Sequence, residues 1–306
     1  MAKFLVTGGA GFIGSHVVEL LNKHQHDILI LDNFSTGKMA NIQHLSEKKN
    51  VTIIDHDISL MSNLGTIFVT FKPDYVIHLA AQAAITTAQN DPLLDLRVNG
   101  IGTLNLLQMA EKYDVKRFVY ASTSAVYEEG RKKISEKTPL VPNNEYGISK
   151  LSGEMYVRLS KISSSVLRFG NVYGPRQVPI GDNQVIAKMT RHLICGDSFH
   201  IFGDGKQKRD YVYVKDVAVA VWMGALTMAR DKNIYNIASG KSYSILEIAK
   251  MLEGIFDIEG YPWEFDKRRI DKRNVKMDVS SALKKAGWKA NMKMEDGMKK
   301  TIEWLK

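Results

Sequence analysis

The first half of the chain alternates short apolar runs with segments of helical periodicity. Apolar runs bounded by polar or turn-forming residues are typical of buried strands, and they occur at 4–6, 28–31, 51–54, 75–79 and 118–120. Helical spacing predominates between them, over 12–21, over 64–71 ahead of Pro73, and over 93–113. Strands that alternate with helices pair in parallel through right-handed crossovers. The pattern therefore predicts an α/β fold with a doubly wound parallel sheet.

This regularity ends near Pro175. Glycine-rich turns, short strands and two helices, at 217–230 and 244–255, indicate a smaller α/β region. We expect residues 1–174 to form a first domain that carries the chemistry. Residues 175–306 are predicted to form mainly a smaller substrate-binding region, with a boundary that the chain can cross. This region should form one wall of a cleft at the carboxyl ends of the strands.

The first strand runs into glycines at positions 8, 11 and 14, and a helical pattern follows them at once. A Cβ in such a turn would hold the backbone away from a pyrophosphate, which binds to the N–H groups and positive dipole of a helix N-terminus. Asp32 ends the second strand, eighteen residues after Gly14. A carboxylate there accepts both ribose hydroxyls of NAD and repels the extra phosphate of NADP. The context predicts a Rossmann-like NAD site, and glycines that serve only a turn are the alternative.

The formal net charge of +9 raises the possibility of a nucleic-acid partner. However, the basic residues are spread along the chain apart from the stretches 131–133 and 267–276. No zinc-finger spacing or aromatic RNA-binding signature accompanies them. We therefore expect no nucleic-acid partner. Either the basic surface is simply solvated, or a few cations bind an anionic small substrate such as a diphosphate.

Cysteine and histidine usage also narrows the class of protein. Cys195 is the single cysteine, which excludes an internal disulfide framework and a cysteine-based metal cluster. His16, His56 and His78 have no metal-ligand spacing, so no metal is predicted. No apolar run reaches membrane-spanning length, and the chain enters a strand directly without a signal-peptide pattern. A cytoplasmic enzyme with no membrane partner is expected.

Tyr146 and Lys150 stand four residues apart, which places them on one helical face, one turn from each other. A free phenol has a pKa near 10, and lowering it by three units requires about 4 kcal/mol of stabilisation of the phenolate. A neighbouring ammonium in a partly dry cleft, together with an oxidised nicotinamide ring, can supply that energy. Such a pair alone is usually a surface pair. Beside a dinucleotide turn it predicts a general base.

These motifs identify the chain as a member of the extended short-chain dehydrogenase/reductases, in the nucleotide-sugar epimerase/dehydratase branch. Each segment is modest alone, but their order and spacing make the resemblance specific. The matching segments are 7–14, 32–37, 57–58, 99–103, 121–127, 146–150, 168–177 and 203–214.

The resemblance implies roles for particular residues. Tyr146 would remove the proton from a substrate hydroxyl, Lys150 would lower its pKa and hold the nicotinamide ribose, and Thr123 would hydrogen-bond the reacting sugar oxygen. Asp57 and Ile58 would meet the adenine. The full set implied for binding NAD is Gly8, Gly11, Phe12, Ile13, Gly14, Asp32, Asn33, Ser35, Thr36, Gly37, Asp57, Ile58, Leu79, Ala80, Ala81, Gln82, Asn99, Tyr146 and Lys150.

The substrate would be held mainly by the second region. By the same resemblance Asn171 would contact the sugar diphosphate, and Arg209, with the pair Arg268 and Asp271, would hold the diphosphate and the uridine ribose. Solvated surface charges are the alternative for the two arginines. Val275 stands where a bulky tyrosine narrows the sugar pocket in the family, so this chain would leave room for an N-acetyl group.

The reaction implied is reversible C4 epimerisation of a UDP-hexose through a 4-keto intermediate, with tightly bound NAD. UDP-GlcNAc/UDP-GalNAc are the expected substrates, together with UDP-Glc/UDP-Gal. Related dehydratases place an Asp-Glu pair after the strand-five threonine, where this chain has Ser124 and Ala125, so no acid/base pair exists for elimination. The alternatives are a UDP-uronic acid epimerase or decarboxylase, a reductase, or a non-catalytic NAD-binding module. An intact Thr123, Tyr146 and Lys150 argues against the last.

The resemblance also implies a homodimer built from the helices around Leu104 and Met155, although apolar faces there equally suit an intramolecular core. The chain departs from the family pattern beside the active site. Glu128 replaces a glycine, and the segment 143–145 replaces a common Ser-Pro pair. Both differences are expected to change local shape and leave the chemistry intact.

Overall fold

The computed structural model describes residues 1–130, 133–179, 184–227, 232–266 and 274–306. Within them the strands are β1 (Lys3–Thr7), β2 (Asp27–Asp32), β3 (Val51–Asp55), β4 (Tyr75–His78), β5 (Arg117–Thr123), β6 (Ser164–Phe169), β7 (Asn171–Tyr173), β8 (Phe199–Phe202), β9 (Lys208–Tyr213), β10 (Asn233–Ile237), β11 (Ser242–Ser244) and β12 (Trp263–Asp266). The helices are α1 (Phe12–Lys23), α2 (Leu64–Phe71), α3 (Ile85–Asn90), α4 (Pro92–Leu96), α5 (Gly102–Lys112), α6 (Glu145–Leu159), α7 (Val185–Cys195), α8 (Val214–Leu226), α9 (Ile245–Phe256), α10 (Ser280–Ala286) and α11 (Met294–Leu305).

The central sheet has seven strands in the order β10-β6-β5-β4-β1-β2-β3. Every neighbouring pair in it is parallel. The strand order reverses between β1 and β4, and ligands of such sheets bind at that point, outside the carboxyl ends of the strands. The predicted doubly wound α/β class is therefore confirmed.

Both faces of this sheet are covered. Successive residues of a strand point to opposite faces, and in β1 Phe4 and Val6 pack with α1 and α8 while Leu5 packs with α2, α5 and α6. Parallel strands that are buried on both sides read as continuous apolar runs rather than alternating ones. This explains why unbroken apolar runs marked the strands in the sequence.

The single helix predicted over 93–113 is interrupted. The α4 and α5 helices are joined by a π-helical turn, Arg97–Ile101. Asp91 caps α4 by accepting a hydrogen bond from the Leu94 N–H, and Pro92 occupies the first turn. Helices of the π type are rare, occur mostly as single turns and are frequent at functional sites. The periodicity of apolar residues could not reveal this turn because apolar positions continue through it.

The second region is built on two small sheets, ordered β11-β9-β7 and β12-β8. Residues from α7, α9 and α11 enclose its apolar core. The chain also returns to the first layer, because α8 packs against α1 and β10 pairs with β6. The helix predicted over 217–230 is α8, which ends at Leu226, and residues 228–230 lie outside the described residues. The domain division at 174/175 remains a prediction, and elements on both sides of it, such as β7 and β10, pack with the other part.

Candidate active site

The turn after β1 leaves no space for side chains. Gly8 has φ +68°, and a Cβ there would lie 2.6 Å from the backbone N of Ala80. A Cβ on Gly14 would lie 2.0 Å from the carbonyl oxygen of Gly8. The α1 helix begins at Phe12, and its N-cap, Gly11, supplies no side-chain cap. The turn therefore fits a pyrophosphate, which would bind to the N–H groups of the first helical turn.

Asp32 closes the adenosine end of this site. It is 7% exposed, and its carboxylate accepts hydrogen bonds from the N–H groups of Ala10 and Phe34, each at 2.9 Å. Burial raises the pKa of Asp32, while these two hydrogen bonds lower it. Asn33 donates its side-chain amide to Asp57 at 3.1 Å. These contacts bring the 32–37 loop and Asp57 to one rim, as the resemblance implied, whereas the Ile58 side chain lies in the core.

The small residues after β4 pass close to the glycine turn. The Ala80 N–H donates to the Thr7 hydroxyl at 3.2 Å, and the Gln82 N–H donates to Asn99 Oδ1 at 3.0 Å. Asn99 is completely buried, and its amide also contacts Gln82 O and the side chains of Asp95 and Ser149. The Asn99 side chain is therefore buried against Gln82, and its predicted role as a cofactor ligand remains a prediction.

The α6 helix presents the reacting pair. Asn144 caps it by accepting a hydrogen bond from the Gly147 N–H at 2.8 Å, and Glu145 occupies the first turn, where an acidic residue is favourable. The departure from the family pattern at 143–145 thus keeps a capped helix. Tyr146 and Thr123 line a common cavity of about 260 Å³.

The pKa values of Tyr146 and Lys150 differ from those that the sequence led us to expect. Burial raises the pKa of Tyr146 to about 12, although the Thr123 hydroxyl acts to lower it. Burial lowers the pKa of Lys150 to about 7, while Asp95 and Glu154 raise it. Lys150 is 2% exposed, and its Nζ lies 4.4 Å from the centroid of the Tyr120 ring. Burial, rather than a neighbouring cation, therefore sets the direction of the Tyr146 pKa.

A buried ion pair supports this arrangement from behind. Glu154 and Arg168 are completely or almost completely buried and form a two-point ion pair. The Ser122 hydroxyl donates to Glu154 at 2.7 Å, and the Arg168 guanidinium donates to the Tyr127 hydroxyl at 2.9 Å. Ser122 directly precedes Thr123, so this network ties α6 to the end of β5. It holds the two catalytic elements in a fixed relation.

The second region supplies the opposite wall of the cavity. Asn171 begins β7, which pairs with β9, and Arg209 lies on β9. Both residues line the cavity together with Val275, and Phe12 and Ile13 reach it from α1, while their roles in binding remain predictions. Arg268 and Asp271, predicted to hold the diphosphate and ribose, lie outside the described residues.

Sequence reasoning missed part of the cavity wall and its surroundings. Ile85, Glu129 and Gln184 line the cavity but belong to loops or helix ends that carry no recognisable motif. Gln177 also lines it, and its place at the end of the 168–177 segment was an available signal. Asp95 was missed too. It stands four residues before Asn99 on the same helical face, which is the signal that could have found it.

Comparison with known proteins identifies the family. The model of the NAD dependent epimerase/dehydratase family matches residues 4–238, which is most of the chain. The chain belongs to this family. UDP-glucose 4-epimerase from Mycolicibacterium smegmatis is 32% identical over 309 residues, covering 99% of this chain and 98% of the relative.

Solved structures agree with the family assignment. The crystal structure of UDP-glucose 4-epimerase from Thermotoga maritima with UDP-glucose has a TM-score of 0.92 and 37% identity, covering 99% of this chain and 98% of that chain. UDP-N-acetylglucosamine 4-epimerase from Methanobrevibacter ruminantium, in complex with UDP-N-acetylmuramic acid, has a TM-score of 0.92 and 32% identity, covering 99% and 97%.

Family membership confirms NAD as the cofactor of this chain. The glycine turn and the buried carboxylate of Asp32 fit that assignment. In the described residues no helix combines the length and apolarity needed to cross a membrane. No three His, Cys, Asp or Glu side chains come together as a metal site in that part of the chain.

Proposed function

We propose that this protein catalyses the reversible C4 epimerisation of a UDP-hexose. The observation that carries the proposal is the shared cavity, in which Tyr146 and Thr123 on the cofactor side face Asn171 and Arg209 on the other. The 4-epimerases among the relatives support the same reaction. When bound, NAD supplies the redox chemistry that oxidises C4 and then reduces it again.

The residues of the protein itself would transfer the proton and hold the sugar. Tyr146 Oη accepts the proton of the C4 hydroxyl and later returns it, while Thr123, which lines the same cavity, would hydrogen-bond that substrate oxygen. The Lys150 ammonium, one helical turn away, stabilises the Tyr146 phenolate that accepts this proton. Arg209 and Asn171 would hold the diphosphate, so that the 4-keto sugar can rotate within the cavity without leaving it.

Dehydration lacks a suitable pair of residues at this site. Ser124 and Ala125 form a short 3₁₀ turn directly after β5, and Thr123 Oγ1 accepts a hydrogen bond from the Ala125 N–H at 3.2 Å. Neither side chain can act as the carboxylic acid and carboxylate that eliminate water. The proton handled by Tyr146 is therefore the only one that the proposed mechanism moves.

The reaction test uses purified protein without added cofactor. UDP-GlcNAc and UDP-Glc are supplied separately, and the products are followed by proton NMR together with absorbance at the wavelength of reduced nicotinamide. Both C4 epimers without net reduced cofactor are expected. Net reduction of the cofactor, or no conversion of either sugar, would contradict the proposal. Tyr146→Phe keeps the ring but removes the acid/base group, and its rate should fall on the order of a hundredfold or more.

We propose that N-acetylated sugars are accepted, because Val275 lines the cavity with a small side chain. A tyrosine at this position would fill the space that an N-acetyl group needs. Val275→Tyr should lower kcat/KM for UDP-GlcNAc at least tenfold relative to UDP-Glc, since excluding a group by clash costs more than about 1.4 kcal/mol. Val275→Ile, which adds one methylene, serves as the control. An unchanged sugar preference in Val275→Tyr would refute the assignment of this position.

A homodimer is proposed through the outer face of α6. Ile148, Met155 and Leu159 are 55%, 40% and 81% exposed on it, and Ile101 beside them is 47% exposed. Large apolar side chains clustered on one helix face mark an interface more than scattered ones do. Leu159→Glu should convert a dimer to a monomer in light scattering, whereas Leu283→Glu, on the exposed side of α10, should not. A wild-type monomer would end this proposal.

We also propose that the protein is located in the cytoplasm. It is supported by the single Cys195, which is exposed and free, and by the nucleotide-sugar substrate proposed above. Subcellular fractionation of the native host, with an antibody to the protein, tests it. Recovery with the membrane or secreted fraction would contradict it.

A further inference from the structure

Lys150 is a buried cation that needs a nearby anion. It is 2% exposed and lies between α6 and the core, with the Tyr120 ring 4.4 Å from its Nζ. An ammonium in such a place loses its hydration and keeps its proton only if negative charge compensates it. Its role as proposed above requires that it keep this proton. The question is which carboxylate supplies the compensation.

Two carboxylates act on Lys150, those of Asp95 and Glu154. Glu154 is already committed, because it forms the ion pair with Arg168 through both oxygens and also accepts the Ser122 hydroxyl. Its charge is therefore largely neutralised by a guanidinium of fixed charge. Glu154 and Arg168 together present little net charge to Lys150.

Asp95 differs from Glu154 because its hydrogen-bond donors are neutral groups. It is 1% exposed, and its Oδ1 accepts hydrogen bonds from Gln82 Nε2 at 2.8 Å and from Asn99 Nδ2 at 3.0 Å. These two amides, and the Ser149 hydroxyl beside them, are neutral groups that orient the carboxylate without cancelling its charge. The uncancelled charge faces the helix that carries Lys150.

The π-helical turn explains how α4 aims Asp95 at α6. The turn begins just after α4 and contains Asn99, whose amide bridges the Asp95 carboxylate to the Ser149 hydroxyl at 3.0 Å on each side. Ser149 directly precedes Lys150 on α6. The amide thus fixes the spacing of the two helices at the level of the buried charges.

We propose that Asp95 is a positioning residue whose buried carboxylate keeps Lys150 protonated through the reaction. The proposal rests on the function proposed above for Tyr146 and Lys150. Asp95 touches neither substrate nor cofactor in it, and acts through the charge it presents to Lys150. Each of the two buried charges is stable because the other is present.

The sign of the effect follows from the groups that face Lys150. Besides Asp95 and Glu154, these include the phenol of Tyr120 and the imidazole of His78, and Asp95 also faces the Tyr146 phenol, whose pKa it raises. His78 is completely buried, which holds its pKa well below the ordinary value, so it adds no positive charge. Glu145 faces Asp95 and raises its pKa. Removing the Asp95 charge therefore leaves Lys150 with less compensation and lowers its pKa further.

The test is Asp95→Asn, which keeps the shape and the polar contacts but removes the charge. The lysine side chains are labelled with carbon-13, Lys150 is assigned by its absence in Lys150→Met, and its titration is followed by NMR. We expect the pKa of Lys150 to fall by about one unit, a tenfold loss of the ammonium form above that pKa. Asp91→Asn, which removes an exposed charge from the cap of the same helix, should leave it unchanged.

The alkaline limb of the pH–rate profile for epimerisation should move to lower pH by the same amount in Asp95→Asn, because activity is lost when Lys150 loses its proton. A pKa of Lys150 that is the same in Asp95→Asn and wild type would overturn the proposal. So would an ordinary lysine pKa in the wild type. The titration needs no turnover, so it separates failure of this inference from failure of the proposed function.

A second measurement covers the case in which Asp95→Asn does not fold. Coupling between two sites is reciprocal, so removing Lys150 must disturb Asp95 equally. In Lys150→Met with carbon-13-labelled aspartate, the pKa of Asp95 should rise by about one unit from its wild-type value. An unshifted Asp95 would also overturn the proposal.

Discussion

The Lys150→Met variant tests whether burial of the Lys150 ammonium lowers the free energy of unfolding of this protein. Burial lowers the pKa of Lys150 from its ordinary value of 10.5 to about 7, and the side chain is 2% exposed. The folded state therefore holds this proton less well than the unfolded chain does. Methionine fills a similar volume without the charge, so the substitution removes the cost of burying an ammonium.

The size of the effect depends on pH. A lysine with a lowered folded pKa destabilises the fold fully below about pH 7, and the cost fades as the pH rises toward 10.5. The difference between these values corresponds to about 5 kcal/mol near pH 6 and about 2 kcal/mol near pH 9. Asp95 loses its neighbouring cation in the variant, which cancels part of the gain. We expect a net stabilisation of about 2 kcal/mol at pH 6 that decreases toward pH 9.

The assay is thermal unfolding of protein freed of NAD, at pH 6 and at pH 9. For a chain of 306 residues, about 2 kcal/mol raises Tm by about 3 °C. Lys161→Met, which removes an exposed lysine just beyond α6, should change Tm by less than about 1 °C at either pH. A Lys150→Met protein that melts below wild type at pH 6, or whose advantage does not narrow by pH 9, would refute the reasoning. Epimerisation should be lost in the same variant.

Three further predictions concern the support of the site. Glu154→Gln leaves the Arg168 guanidinium buried without its counter-charge, so urea unfolding should show a loss of about 3–5 kcal/mol, and a loss below about 1 kcal/mol would contradict the ion-pair argument. Asn144→Ala removes the cap of α6 and should cost about 1 kcal/mol in the same assay, whereas Asn144→Ser should restore most of it; equal stability of the two variants would argue against a capping role. Gly8→Ala places a Cβ 2.6 Å from the Ala80 backbone, and NAD affinity measured by calorimetry should fall at least tenfold, while Gly254→Ala, with open space around it, should bind NAD normally.

Local chemistry in the sequence was enough to predict the first five strands, the doubly wound sheet and the glycine turn. A strand, a turn that only glycine can adopt and a helix start follow one another within 3–23, so the physical requirements lie next to each other in the chain. The same holds for Tyr146 and Lys150, whose spacing alone sets them on one face of α6. Properties that depend on neighbours along the chain can therefore be predicted from the amino-acid sequence alone.

Charge states and the opposite wall of the cavity were decided only by the tertiary structure. Asp95 and Lys150 influence each other from α4 and α6, and no periodicity relates residues on two helices that are separated by a strand. Val275 and Arg209 line the same cavity as Tyr146 because a bridge between Lys208 and Asn274 brings the distant segment that carries Val275 to β9. The sequence determined which chemical groups are present and on which local faces they stand. Burial and long-range packing determined their pKa values and their partners, because both depend on groups brought together from distant parts of the chain.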